Sequence, residues 1–373
     1  VRILISTDIF PPQLGDSVAY VPAIAQALVE RGHQVRVVTS VYDRSAAATD
    51  KRYPFVVERL DLRRFWHRTV RLFLQLRWAQ VVFVNGLLAE VSRINRLLRR
   101  PTVARVTTDL VWEYVVDQGW TRDDYATFQR KRYHRAIERF RRWRNQTLAR
   151  MRAILVPCQS MQALVSSWGV PIERIRVVPD AFIPAPEAAV PWPGPDTPLR
   201  LITVGRLTAW QGVDELLAVL IAWGDVGLLV VGDGPQRTTL GQLACRLRLE
   251  QRVKFVGWPE RDVLLGLMHA ADLCVFNARH PGSPPALLDA WAVGVPVLAA
   301  ASGGVVEWIS DGVNGRLVPL GDRAALRDAI RALLDDPLAR ASLRAGGLLS
   351  VRQHAAFDAM MDHVIGLIEE IVH

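Results

Sequence analysis

The chain has 373 residues, beyond the size at which one hydrophobic core usually stays single, and half of them are apolar, so two domains are expected. No uncharged apolar run reaches the roughly 18 residues that a membrane span needs, and three scattered cysteines exclude a disulfide framework or a cysteine-based metal site. The formal net charge of +9 calls for an anionic partner: a phosphorylated substrate, an anionic lipid surface or nucleic acid. Cys158, Cys245 and Cys274 read as buried thiols of a reducing compartment.

The opening VRILISTDIF reads as a first strand ending at Asp8 and not as a leader, because it carries an acid and lacks a cleavage pattern. The loop FPPQLGD follows, then an apolar-periodic helix to Arg31 whose start lies between Ser17 and Val21, then a strand over Val35–Thr39. Strand, glycine loop, helix and strand make the βαβ unit of a parallel sheet. Gly15 stands where a backbone approaches a ligand closely, but Asp16 follows it, so no dinucleotide fingerprint is present.

Arg64–Trp78 lies on a helix with Phe65, Thr69, Leu72, Phe73 and Leu76 on one side and Arg64, Arg68 and Arg71 on the other. That pattern suits a crossover helix before the buried strand VVFVN, the favoured reading, and also suits a membrane-surface helix. Thr102–Thr107 is a strand that delivers Thr108 and Asp109 to the carboxyl end of the sheet, where open α/β sheets bind ligands. Thr121–Arg152 reads as one long helix with a basic solvent side. An anionic lipid surface is its sharper reading, and nucleic acid is set aside because no nucleic-acid motif accompanies the charge. AILVPCQS and IRVVPDAF close the first half, and the prolines of PAPEAAVPWPGPDTP forbid regular structure and mark a linker.

From Leu201 the alternation restarts through LITVG, LLVVGDGP, VKFVGW and LCVFN. The stretch Asn277–Pro319 then gives a Gly/Pro loop, an apolar helix ending at Gly294, the strand PVLAA, the pair Gly303-Gly304 and a turn at Asn314-Gly315. Glycines just before helix starts, at Gly282 and Gly303-Gly304, suggest a pocket for a phosphorylated ligand.

PPQLGD, RGHQV, VVPDAF, VGRLTAWQG, VGDGP, VKFVGW, AADLCVF, LLDAWAVGVPVLA, SGGVVEWI and DGVNGRLVP occur in the order and spacing of the retaining glycosyltransferases of the GT-B fold, family four, which this chain resembles over essentially its whole length. The resemblance implies an α/β architecture of two Rossmann-like, doubly wound domains facing each other across a cleft. An acceptor domain would span 1–181, a linker 182–199 and a nucleotide-sugar donor domain 200–353, with 354–373 crossing back onto the first. It implies a nucleoside diphosphate sugar as co-substrate, no metal or other cofactor, and a glycan or lipid-linked acceptor. A cytoplasmic location follows, at most peripheral on an anionic membrane through Arg64–Trp78 and the basic segment 128–152.

On the family pattern Arg206 contacts the donor diphosphate, and Asp289 stands for the glutamate that accepts from the ribose. Gly15, Gly232, Gly257, Gly282, Ser283 and Leu287 complete the matched donor positions, with Thr108 and Asp109 placed with Arg206 as catalytic candidates. Departures stand beside these matches: Gln211 where the family keeps a lysine, Pro281 for the first glutamate of its acidic pair, Thr108 for a histidine and Asp16 for a second glycine. Arg279 and His280 could restore the charge missing at Gln211. The reaction implied is sugar transfer with retention of the anomeric configuration, the leaving phosphate taking the acceptor's proton. The alternative is a catalytically impaired binder of nucleotide sugars or a partner of an active enzyme.

Overall fold

The computed structural model describes residues 1–13, 18–41, 50–61, 63–185, 189–282 and 284–372. The first sheet contains β1 (Arg2–Thr7), β2 (Gln34–Val41), β3 (Val56–Asp61), β4 (Val81–Asn85), β5 (Thr102–Arg105), β6 (Ala153–Val156) and β7 (Ile175–Val177), in the order β3-β2-β1-β4-β5-β6-β7. The second contains β8 (Leu199–Val204), β9 (Val226–Val231), β10 (Val253–Gly257), β11 (Leu273–Phe276), β12 (Val297–Ala300) and β13 (Arg316–Val318), in the order β10-β9-β8-β11-β12-β13. Neighbouring strands run parallel, with Ile3 opposite both Val35 and Val81 in the first sheet and Leu201 opposite both Leu228 and Leu273 in the second. Parallel strands need crossover helices on both faces. Hence central strands such as β4 are apolar runs and not alternating ones, and its first four residues, VVFV, are buried.

Each sheet reverses its winding once, between β1 and β4 and between β8 and β11. Crevices at such reversals open at the carboxyl ends of the strands. The loops after β1 and β4 and those after β8 and β11 therefore set the position of the functional site.

One face of the first sheet packs the helix Tyr20–Glu30 together with the last helix, Phe357–Val372, whose Met361, Val364 and Ile368 join Ile3, Ile24 and Leu28 in one buried cluster. Pro22 lies in the first turn of its helix, where its missing N–H has no intrahelical acceptor to lose. The preceding helix, Pro337–His354, buries Leu343 and Val351 against the second domain. The chain thus passes between the domains twice, and the passages touch: the Phe182 N–H donates to the Ala355 carbonyl at 3.1 Å.

Three expectations change. The segment read as one helix over Thr121–Arg152 is two, Tyr125–Arg130 and Arg135–Leu148, because Asp124 and His134 each cap a separate start. On the helix Phe65–Trp78 the buried residues are Leu72, Gln75 and Leu76, while Phe65, Trp66, Val70 and Leu74 face solvent, Trp66 at 78% exposure. Phe65 and Thr69 thus do not share the buried side with Leu72 and Leu76. Cys245 is exposed, unlike Cys158 and Cys274, whose thiols are pushed up by burial, Cys158 to about 12. Among the described residues no helix is long and apolar enough to cross a membrane.

Candidate functional site

The floor of the second domain's crevice is backbone. Gly205, Gly232 and Gly257 end β8, β9 and β10, and the Gly232 N–H donates to the Gly257 carbonyl at 2.8 Å. A Cβ on Gly232 would lie 2.0 Å from the Gly205 carbonyl oxygen, so only glycine lets these strand ends converge. Gln211 folds back over Gly205, with its Nε2 3.4 Å from the Val204 carbonyl. Its amide is therefore turned onto its own loop.

Arg206 reaches out of this floor toward the first domain, where its Nη2 lies 3.0 Å from Asp117 Oδ2. The guanidinium is more than half exposed while Asp117 is largely covered. Burial raises the Asp117 carboxyl above its ordinary range, Arg206 pulls it back down, and Glu113 pushes it up. Asp289 is buried and held bidentately by Arg261, at 2.7 and 3.0 Å, and the same guanidinium donates to the Ile183 carbonyl. Arg105 and Asp180, 2.5 Å apart, face that pair across a narrow gap, with Arg105 stacked 3.8 Å from the Tyr20 ring centroid. Burial pushes the Tyr20 phenol up to about 12, and its hydroxyl donates to Met360 Sδ at 3.3 Å.

The loop after β11 carries two cations that diverge. Arg279 pairs with Glu215 in the first turn of the helix Val213–Leu220, so its charge is directed at a carboxylate one turn beyond Gln211. His280 turns the other way, across the cleft, its Nε2 2.9 Å from Thr108 Oγ1 and 3.1 Å from Glu113 Oε1. The Gly282 N–H donates to His280 Nδ1 at 3.1 Å, which assigns the proton of the neutral ring to Nε2. Trp112 and Trp210 pack against each other from opposite domains, centroids 4.8 Å apart, beside the imidazole.

The two glycine turns flanking β12 meet: the Gly304 N–H donates to the Pro281 carbonyl at 3.0 Å, and a Cβ on Gly303 would strike the carbonyls of His280 and Pro281. Two of their N–H groups are already engaged within the protein. That of Gly282 is spent on His280 and that of Gly304 on Pro281, and the helix beyond Gly304 is a single turn, Val305–Trp308. Gly282 instead permits contact between domains, since a Cβ there would lie 2.6 Å from the Thr107 carbonyl. Pro281, buried, offers no side-chain group.

Two further candidates face away from the cleft. Leu287 is fully buried in the second domain's core. Asp109 is fully buried beneath the cleft. Its Oδ1 caps the helix Leu110–Asp117 at Val111 and Trp112, and its Oδ2 takes Arg144 at 2.5 Å and Gln129 at 2.8 Å. With its lone pairs committed and its side chain out of reach of solvent, Asp109 is a structural anchor. Gly15, Asp16 and Ser283 lie outside the described residues.

In the first domain a cavity of about 360 Å³ opens at the carboxyl ends of β1, β4 and β5, between Asp8, Gly86, Thr108, Tyr114, Phe140 and Trp143. Sequence reasoning missed its aromatic wall and the cleft partners Asp117, Arg105 and Arg261. Only Arg105 carried a signal, as the last residue of a buried strand.

Glu307 of the second domain caps the helix Gln159–Ser167 of the first. Its carboxylate accepts from the N–H groups of Gln159 and Ser160, both at 2.7 Å, and from the Ser160 hydroxyl at 2.5 Å. The cleft is closed in this structure.

Residues 198–336 match the family Glycosyl transferases group 1, and residues 17–182 match Glycosyltransferase Family 4. The lipopolysaccharide core biosynthesis glycosyltransferase LpsD of Rhizobium meliloti is 28% identical over 215 residues, 58% of this chain and 62% of the relative. A GDP-mannose-dependent monoacylated alpha-(1-6)-phosphatidylinositol monomannoside mannosyltransferase of Corynebacterium glutamicum is 31% identical over 185 residues, 47% of this chain and 48% of the relative. The matched region thus spans about half to three fifths of these relatives' length. Among solved structures, Anabaena Alr3699/HepE in complex with UDP and glucose superposes with a TM-score of 0.78 at 19% identity, covering 99% of both chains. The two family matches, one in each domain, together take in most of the chain, which belongs to the family four, group 1 glycosyltransferases of the GT-B fold.

Proposed function

We propose that this protein transfers a sugar from a nucleoside diphosphate sugar to an acceptor hydroxyl, with retention at the anomeric carbon. One observation carries the reading: Arg206 and His280, from the two loops at the second domain's winding reversal, converge on the first domain beside Thr108 and its aromatic-walled cavity. The donor lies over the Gly205–Gly232–Gly257 floor, with Asp289 toward the ribose once Arg261 yields and Gln211 at the rim. The bond from the anomeric carbon to the diphosphate oxygen breaks, its electron pair goes to that oxygen, and the acceptor hydroxyl enters on the same face and gives its proton to the leaving phosphate. Arg206, freed from Asp117, meets the growing negative charge.

His280 takes the place of the histidine that the family pattern puts at Thr108. The imidazole arrives from the opposite domain, and its Nε2–H is presented beside the Thr108 hydroxyl. His280→Ala is expected to lower kcat by roughly 10²-fold with little change in the donor KM. An unchanged kcat would remove this role. No step requires a metal, so EDTA is expected to leave the rate unchanged.

The acceptor enters the cavity walled by Tyr114, Phe140 and Trp143, rings that suit sugar faces or a lipid stem. A lipid-linked glycan acceptor fits the names of the two relatives, one of lipopolysaccharide core biosynthesis and one that mannosylates a phosphatidylinositol mannoside. It also fits the solvent-facing Phe65, Trp66, Val70 and Leu74 among arginines, which would rest on the cytoplasmic face of an anionic membrane. Trp66→Ser/Leu74→Ser is expected to abolish flotation with phosphatidylglycerol vesicles, and undiminished flotation removes that part.

The test of the whole is incubation with UDP-, GDP- and ADP-sugars, following nucleoside diphosphate release and the product anomer by NMR. Release with none of them, together with saturable binding, favours the second reading, a nucleotide-sugar binder. The pairing of Arg206 with Asp117 and of Asp289 with Arg261 is the observation on its side.

A further inference from the structure

The cleft lies at the carboxyl ends of the strands. At the opposite, amino ends of β5, β6 and β7 is a groove of about 660 Å³ to which the reaction gives no work. Arg96, Arg99, Arg100, Arg150, Arg152 and Arg174 line it, and none of the lining residues is acidic. Among the described residues the cleft cations Arg105, Arg206, Arg261 and Arg279 each have a carboxylate within 4.0 Å, whereas none of these six arginines does. Six guanidinium charges gathered without a counter-charge repel one another, and a multivalent anion relieves that repulsion.

The groove is built and not merely charged. Asn95 clamps the main chain of Arg100, its Oδ1 accepting from the Arg100 N–H at 2.9 Å and its Nδ2 donating to the Arg100 carbonyl at 2.8 Å. That clamp closes the turn at the end of the helix Leu88–Leu98, whose C-cap Arg99 adopts the left-handed φ of +52°, uncommon for a residue other than glycine. Two heads are fixed on carbonyls, Arg100 Nη2 on Arg77 at 2.8 Å and Arg174 Nη1 on Ala149 at 3.2 Å. Thr147, 1% exposed, lines the same groove with a hydroxyl that has no hydrogen-bond partner in the protein, and the Nε of Arg100 is likewise buried and unpartnered.

We propose that this groove binds a phosphorylated ligand at a site separate from the donor and acceptor sites. Guanidinium forks match phosphate oxygens in pairs, an orphaned hydroxyl beside them supplies a neutral donor, and the volume admits an organic phosphate larger than the bare ion. The phosphate is that of a soluble metabolite or of a lipid headgroup. The site does not rest on the membrane reading of the helix Phe65–Trp78, nor on sugar transfer.

The full-length protein would be titrated calorimetrically with inorganic pyrophosphate, and separately floated with vesicles of phosphatidic acid in phosphatidylcholine. Arg96→Gln/Arg150→Gln removes two exposed groove charges, and Arg246→Gln/Arg323→Gln removes two exposed charges from the second domain as the control of equal net charge. Binding of pyrophosphate that weakens roughly tenfold or more in the groove variant and not in the control supports the site and a soluble ligand. Flotation lost in the groove variant alone, without pyrophosphate binding, supports the site and a lipid headgroup. Equal losses in both variants, or binding of neither probe by the parent protein, overturn the proposal. The Trp66→Ser/Leu74→Ser variant separates this result from the membrane reading, because pyrophosphate binding must survive it.

Discussion

Asp109→Ala is expected to destabilise the fold by about 3–5 kcal/mol, read as a shift of the urea midpoint at constant slope. The removed carboxylate leaves Arg144, only 3% exposed at its side chain, charged and unpaired beneath the cleft. Burial already pulls the Arg144 guanidinium below its ordinary pKa, with Asp109 the largest influence opposing it. The cap on the helix Leu110–Asp117 goes at the same time. A companion variant sharpens the test: Asp109→Ala/Arg144→Met exchanges the pair for apolar volume and is expected to recover much of the loss, because desolvating two charges offsets most of what their attraction returns. If Asp109→Ala instead leaves the midpoint in place while kcat falls, the aspartate touches the reacting groups and the structural assignment is wrong.

Arg206→Ala is expected to behave in the opposite way. The side chain is 56% exposed and its one partner, Asp117, lies in the other domain, so stability should move by no more than ~0.5 kcal/mol. Turnover should fall by ~10²–10³, the usual consequence of removing one preorganised donor from a developing oxyanion. Asp117→Asn gives the reciprocal result: with its resting partner weakened, Arg206 is released to the donor and the donor KM should drop. A rise in donor KM for Asp117→Asn would mean that Asp117 positions the donor and does not merely hold Arg206.

The fold was legible because parallel sheets write themselves as apolar runs, and VVFVN and PVLAA could be little else. Arg206 and the glycines at the strand ends were picked out only through the resemblance to a family pattern, since no local periodicity marks them. What could not be read was convergence. Asp117 and Arg206 are 89 positions apart, and His280 and Thr108 are 172 apart. No window of sequence tells that an imidazole following β11 would come to rest on a hydroxyl following β5. Side-chain direction was equally hidden: Leu287 and Asp289 sit two positions apart on one helix, yet one is core and the other an ion pair at the gap. The run of charge in segment 128–152 drew attention to itself, but the groove takes only Arg150 and Arg152 from it and collects the rest from turns at the ends of other elements.

The hydrogen bond between Phe182 and Ala355 ties the two interdomain passages to each other. Two connections fastened side by side act as one pivot: they permit bending and resist both twisting and sliding. Such a pivot bears directly on the register in which His280 meets Thr108. Glu307 adds a cap that reaches from the second domain to three donors of the first. A ligand in the cleft must therefore draw Arg206 from Asp117 and Asp289 from Arg261, and any shift between open and shut is weighed against, among other contacts, a helix cap worth about 0.5–2 kcal/mol.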